Sequence, residues 1–118
     1  MSVLVSRKAP NFTAAAVLAD GQIENNYQFY DKTKGKYTVL FFYPLDFTFV
    51  CPTELIALDR SIAEFQQRGA EVLTVSIDSQ FTHAAWRNTA ISKGGIGPVA
   101  YTMLADTSHE ICRIYGVE

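Results

Sequence analysis

The sequence is short of cysteine and histidine, with two of each, and it has no long apolar run. Two cysteines, Cys51 and Cys112, are too few for a disulfide scaffold. That shortage points to the reducing cytoplasm, where cysteine chemistry is catalytic rather than structural. No apolar stretch approaches the ~20 residues of a membrane helix, so no membrane partner is expected. The first ten residues carry Arg7 and Lys8 but no apolar core and no small-residue cleavage site, unlike a secretory signal. Ten basic residues against twelve acidic ones give a net charge of -2, with no basic run. Nucleic acid is disfavoured as a partner, because phosphate binding needs clustered Lys and Arg. There is no repeat, low-complexity stretch or linker, and 118 residues suit one domain, 1–118. At 48% apolar and 19% charged, the composition is that of a globular chain rather than a disordered one.

What is present is a patterned α/β sequence. Phe12–Leu18 and Ile23–Phe29 read as a hairpin closed at Asp20-Gly21. Asp31–Lys36, polar and holding Gly35, reads as a loop. Tyr37–Tyr43 (YTVLFFY) is the strongest strand, apolar throughout, as a central strand covered on both faces would be. Pro52–Arg68 has apolar residues at helical spacing, interrupted by Asp59, and ends at Gly69. Val72–Ile77 and Tyr101–Leu104 read as strands, Thr82–Thr89 as a helix and Gly94–Pro98 as a loop. Ser108–Tyr115 reads as a helix with Ser108 as N-cap and Gly116 after its end. Alternating strands and helices imply three parallel strands with crossover helices. Such a core ordinarily has further edge strands, so the domain is expected to be incomplete at its C-terminus.

The chemistry concentrates in Phe42–Glu54, which joins the C-terminal end of the Tyr37–Tyr43 strand to the longest helix. Open α/β sheets place their sites at such ends. Cys51 falls at the helix N-terminus, where exposed N–H groups and the dipole favour an anion. A thiolate is such an anion, so its pKa should fall below the usual ~8.5. Thr48 can donate to the sulfur and accept from a bound hydroxyl. Pro44 offers an apolar wall without an N–H. Glu54 complements the dipole in the first turn. Position alone leaves the alternatives open: a buried structural thiol, a turn former at Thr48 and a helix cap at Glu54.

The string PLDFTFVCPTE resembles the active-site segment of the peroxiredoxins, whose Pro-x-x-x-Thr/Ser-x-x-Cys pattern is met by Pro44, Thr48 and Cys51. The longer FFYPLDFTFVCPTE is similar to the typical two-cysteine subgroup, which includes bacterial alkyl hydroperoxide reductase C subunits. The segments at Ala9–Phe12, Val75–Ser79, Phe81–Trp86 and Gly94–Gly97 also resemble the family. The resemblance implies a thioredoxin-like fold with an N-terminal hairpin, and a thiol peroxidase. Cys51 would attack a hydroperoxide and become a sulfenic acid. Thr48 would hold thiolate and peroxide, Pro44 would shield the site, and Glu54 would help hold an active-site arginine. No metal, flavin or haem is implied. A thiol reductant, thioredoxin or a flavoprotein reductase, would regenerate the thiol. Family members form homodimers or rings of dimers, and Phe81, Thr82 and Trp86 resemble residues near the ring contact.

Two family features find no match. Arg60, Arg68, Arg87 and Arg113 do not stand where the family's catalytic arginine does, and no cysteine has the resolving Val-Cys-Pro context. Cys112 reads instead as a small buried hydrophobe. The chain is therefore expected to be a C-terminally truncated peroxiredoxin and, alone, a weak peroxidase. The alternative is a non-enzymatic remnant, an interaction or holdase fragment. A disulfide oxidoreductase would need a second cysteine where Glu54 stands. A zinc site would have to combine His109, Cys112, His83 and Cys51, with no other ligand spacing in support. Gly94–Gly97 is not a nucleotide fingerprint, because no strand leads into it and no helix starts from it. His83 and Trp86 read as structural.

Overall fold

The computed structural model describes residues 4–43, 46 and 51–117, with the backbone alone at 51–53. Its elements are β1 (Thr13–Val17), β2 (Ile23–Gln28), α1 (Phe29–Thr33), β3 (Tyr37–Phe42), α2 (Cys51–Arg60), α3 (Ile62–Gln67), β4 (Ala70–Ser76), α4 (Gln80–Arg87), β5 (Thr102–Ala105) and α5 (Glu110–Ile114). Among the described residues, five strands form one sheet in the order β2-β1-β5-β4-β3. β3, β4 and β5 are parallel, as the strand–helix alternation requires. The hairpin joins antiparallel through β1 beside β5.

Strand periodicity divides the core between the two sheet faces. Val72 and Met103 pack with Tyr43, Leu55, Ile62, Trp86 and Tyr101. Their neighbours Leu73, Val75 and Leu104 pack on the other face with Phe12, Phe29 and Ile111. Both faces of β4 and β5 are thus covered, and their polar residues Thr74, Ser76 and Thr102 are buried along with the apolar ones.

Four sequence expectations need correcting. β3 is an edge strand among the described residues rather than a central one, and it is only half-buried beyond an exposed Tyr37. Its flank opens on a groove of about 740 Å³ whose lining includes Phe29, Tyr30, Leu40 and Tyr115. Asp31–Lys36 is not all loop, because α1 runs to Thr33. The signal was remote: Asn11 Oδ1 accepts the Tyr30 N–H at 3.0 Å, capping the helix from a distant part of the chain. The 52–68 helix breaks at Ser61 into α2 and α3. Asp59, which interrupts its apolar face, accepts the Ala100 N–H at 2.6 Å and so anchors the approach to β5. Finally, the hairpin does not close as a two-residue turn. Leu18 pairs with Gln22 across residues 19–21, and of Asp20 and Gly21 only Gly21 takes a positive φ, 91°.

Candidate active site

The parallel strands all finish at the same end of the sheet, and the site forms beyond those ends. β3 stops at Phe42, and α2 begins at Cys51 after the connecting residues. Cys51 is the first residue of α2, as the sequence predicts. The opening N–H groups of a helix have no partner within it, so a thiolate at that position is stabilised by hydrogen bonding and by the dipole. Glu54 lies in the first turn and is exposed, the placement that complements the dipole. Pro44 and Thr48 lie outside the described residues, as do the side chains of Cys51, Pro52 and Thr53.

Asp46, between β3 and α2, is the centre of a buried polar cluster. Its Oδ1 accepts the Tyr43 hydroxyl at 2.6 Å, and its Oδ2 lies 2.6 Å from His83 Nδ1. Its own N–H donates to Asp78 Oδ2 at 2.5 Å. His83 Nε2 lies 2.9 Å from the Leu104 carbonyl oxygen. A carbonyl can only accept, so Nε2 carries a proton and donates it. A second proton lies on the short Nδ1–Oδ2 contact. Burial, reinforced by the Asp46 charge, pushes the Tyr43 phenol far above its ordinary range, so it stays protonated and donates. The cluster draws on β3, β4, α4 and β5, which meet at this end of the sheet.

Sequence reasoning missed Asp46 and read His83 as structural, or as a ligand in the disfavoured zinc alternative. The available signal was the one charged residue inside the mostly apolar stretch Leu45–Val50. Nothing local links it to His83, 37 positions away on α4.

The other expected residues separate. Phe81 is exposed, whereas Thr82 donates its N–H to the Ser79 cap at 3.1 Å. Trp86 is a correction: it is fully buried against Tyr43, ring centres 6.0 Å apart, and its Nε1 donates to the Gly94 carbonyl. It cannot add to an exposed contact surface. Cys112 is half-buried rather than buried, and its N–H donates to Asp106 Oδ2 at 2.9 Å. Both His83 nitrogens face partners within the protein, which removes His83 from any zinc set. Among the described residues, no group of three or more His, Cys, Asp and Glu could hold a metal. No described helix is long and apolar enough to cross a membrane.

Comparison with known proteins bears directly on this arrangement. The sequence profile of the AhpC/TSA family matches residues 5–118. The alkyl hydroperoxide reductase C of Buchnera aphidicola subsp. Schizaphis graminum is 47% identical over 115 residues, 98% of this chain and 58% of the relative. The Mus musculus peroxiredoxin-2 is 50% identical over 113 residues, 96% of this chain and 56% of the relative. The crystal structure of reduced Plasmodium vivax 2-Cys peroxiredoxin superposes with a TM-score of 0.94 at 43% identity, covering 99% of this chain and 60% of that one. The present chain thus spans somewhat over half the length of these relatives. The match also extends the local reading of the fold, a thioredoxin-like α/β sheet carrying an N-terminal hairpin, to the whole sequence.

Proposed function

This chain belongs to the AhpC/TSA family, and on that footing we propose that it reduces hydroperoxides through Cys51. The observation that carries the proposal is the position of Cys51 as the first residue of α2, beyond the C-terminal ends of the parallel strands. The Cys51 thiolate attacks the terminal peroxide oxygen. The S–O bond forms as the O–O bond breaks, and the departing oxygen takes a proton to leave as water or an alcohol. Cysteine is oxidised to sulfenic acid, and the peroxide is reduced by the same two electrons. A thiol of a reductant then condenses with the sulfenic acid, releasing water, and a second thiol restores Cys51.

Thr48 is assigned to hold thiolate and peroxide together, Pro44 to keep water from the sulfur, and Glu54 to complement the helix start. Thioredoxin or a flavoprotein reductase suits the reducing step. The working form is a homodimer or ring of dimers in the cytoplasm, with the exposed Phe81 available to such a contact. All the electrons pass through sulfur, so the step needs no metal or organic cofactor.

The test is to treat the purified chain with equimolar hydrogen peroxide, trap sulfenic acid with dimedone and locate the adduct by peptide mass. The adduct should fall on the Cys51 peptide, exceed any on Cys112, and vanish in Cys51→Ser. Equal labelling of the two cysteines would remove the special role of Cys51.

A further inference from the structure

We propose that His83 is a positioning residue for the reaction at Cys51: it clamps Asp46 and so fixes the connection that presents the nucleophile. The inference rests on the reading of Cys51 given above, but the clamp itself is independent of it. The chain leaves the sheet after Tyr43 and re-enters regular structure at Cys51. Two fixed ends leave a connection of this length many possible paths. Asp46 supplies a third fixed point between them.

The clamp is built to be rigid. The side chains of Asp46 and His83 have no solvent exposure, so water does not compete for their 2.6 Å contact. The carboxylate is held on both oxygens, by Tyr43 and by His83, while Asp78 accepts the Asp46 N–H. His83 is fixed in turn through Nε2 to the Leu104 carbonyl in β5. An imidazole spans these two partners because its nitrogens lie on opposite sides of one flat ring. Both nitrogens are occupied, so His83 has no lone pair or proton to offer substrate. Its influence on Cys51 passes through Asp46. Losing either partner takes the Nδ1–Oδ2 bond from a buried atom of the other, which favours a different path for the connection.

The test compares the full chain with His83→Leu, His83→Gln, Asp46→Ala and Asp46→Asn, all below their melting temperatures by circular dichroism. The first readout is the rate of Cys51 oxidation by hydrogen peroxide divided by its rate of alkylation by iodoacetamide. Alkylation reports thiolate content and access, whereas peroxide also demands precise alignment. The ratio should fall by roughly tenfold or more in His83→Leu and Asp46→Ala, within the range that sub-ångström to ångström misplacement produces. Asp46→Asn should stay within about threefold, because its amide accepts from Tyr43 and donates to a neutral imidazole. The second readout is amide exchange in a peptide covering residues 44–50, which should accelerate in the same two variants and not in Asp46→Asn. Unchanged ratio and unchanged local exchange in a folded His83→Leu or Asp46→Ala protein would overturn the proposal. So would faster exchange across the whole sheet with an unchanged ratio. If His83→Leu fails to fold, His83→Gln and Asp46→Ala decide. A wild-type ratio equal to that of an ordinary thiol would instead sink the peroxidase reading, and local exchange alone would then decide the clamp.

Discussion

Arg87 Nη1 donates to the carbonyl oxygen of Leu18 at 2.7 Å, fastening α4 to the hairpin turn. The same guanidinium reaches the Ala19 and Val99 carbonyls at 2.9 and 2.8 Å. Burial draws the Arg87 pKa below its usual value, while Asp20, Tyr101 and Asp59 oppose that shift. Its fork therefore ties α4 to two stretches of backbone, the hairpin turn at Leu18–Ala19 and the approach to β5 at Val99. Arg87→Ala should cost roughly 2–4 kcal/mol, since three carbonyls lose a charged donor. Arg87→Lys should cost about half as much, because an ammonium cannot span the same fork. Urea unfolding midpoints check this, and a change under about 0.5 kcal/mol in Arg87→Ala would contradict it.

The cap of α5 is the buried carboxylate of Asp106, not Ser108. Asp106 accepts the N–H groups of Ile111 at 3.0 Å and Cys112 at 2.9 Å. His109, at φ 65°, turns the chain so that Ser108 reaches only the Glu110 N–H, at 3.3 Å. Asp106→Ala should therefore destabilise by about 1–2 kcal/mol and Ser108→Ala by under about 0.5 kcal/mol. Thermal melts of the two variants should rank them in that order.

The glycines after α4 differ in what they tolerate. A Cβ on Gly95 would lie 2.0 Å from the Thr89 carbonyl oxygen, whereas one on Gly94 would meet nothing within 4 Å. Gly94 takes φ 86°, a conformation that Asn can share. Gly95→Ala should lower stability by roughly 2 kcal/mol or more, and Gly94→Asn by under about 1 kcal/mol. Equal melting temperatures for the two variants would refute the distinction.

Alkaline stability follows from buried tyrosines. Burial, with Glu71 beside Tyr27 and Tyr30 near Tyr115, pushes both phenols up to about 12. Unfolded tyrosine loses its proton near 10, so between about 10 and 12 the folded chain holds more protons. Stability should be intact below pH 10 and decline as pH rises toward 12. Tyr115→Phe should flatten part of that decline, although it also loses the 2.6 Å bond to the Pro10 carbonyl. A chain equally stable at pH 9 and pH 11.5 would contradict the assignment.

The legible parts of this fold were those written in local pattern. Val72–Ile77 and Tyr101–Leu104 carry no charged residue and are dominated by apolar and β-branched side chains because both sheet faces cover them, and β4 and β5 lie there. Cys51 was legible because an apolar strand, a short connection and a Pro-led helix occur in sequence. What long-range contacts decide was not legible. Asn11 starts α1 and His83 meets Asp46 across 19 and 37 positions, and Asp106 rather than Ser108 caps α5 because His109 takes a positive φ. The family resemblance groups Trp86 with Phe81 near a contact surface, yet residues five apart on a helix project in different directions, and Trp86 is buried while Phe81 is exposed. Pro44 and Thr48, outside the described residues, rest on their side-chain chemistry and on the family resemblance.

The central claim is that the start of α2 makes Cys51 a peroxide-reactive thiolate. Its most direct test is the second-order rate of Cys51 oxidation by hydrogen peroxide at neutral pH, followed by intact mass with Cys51→Ser as control. The account predicts a rate well above that of an unactivated thiol, abolished in Cys51→Ser. A rate equal to an ordinary thiol, or one that survives in Cys51→Ser, would contradict it.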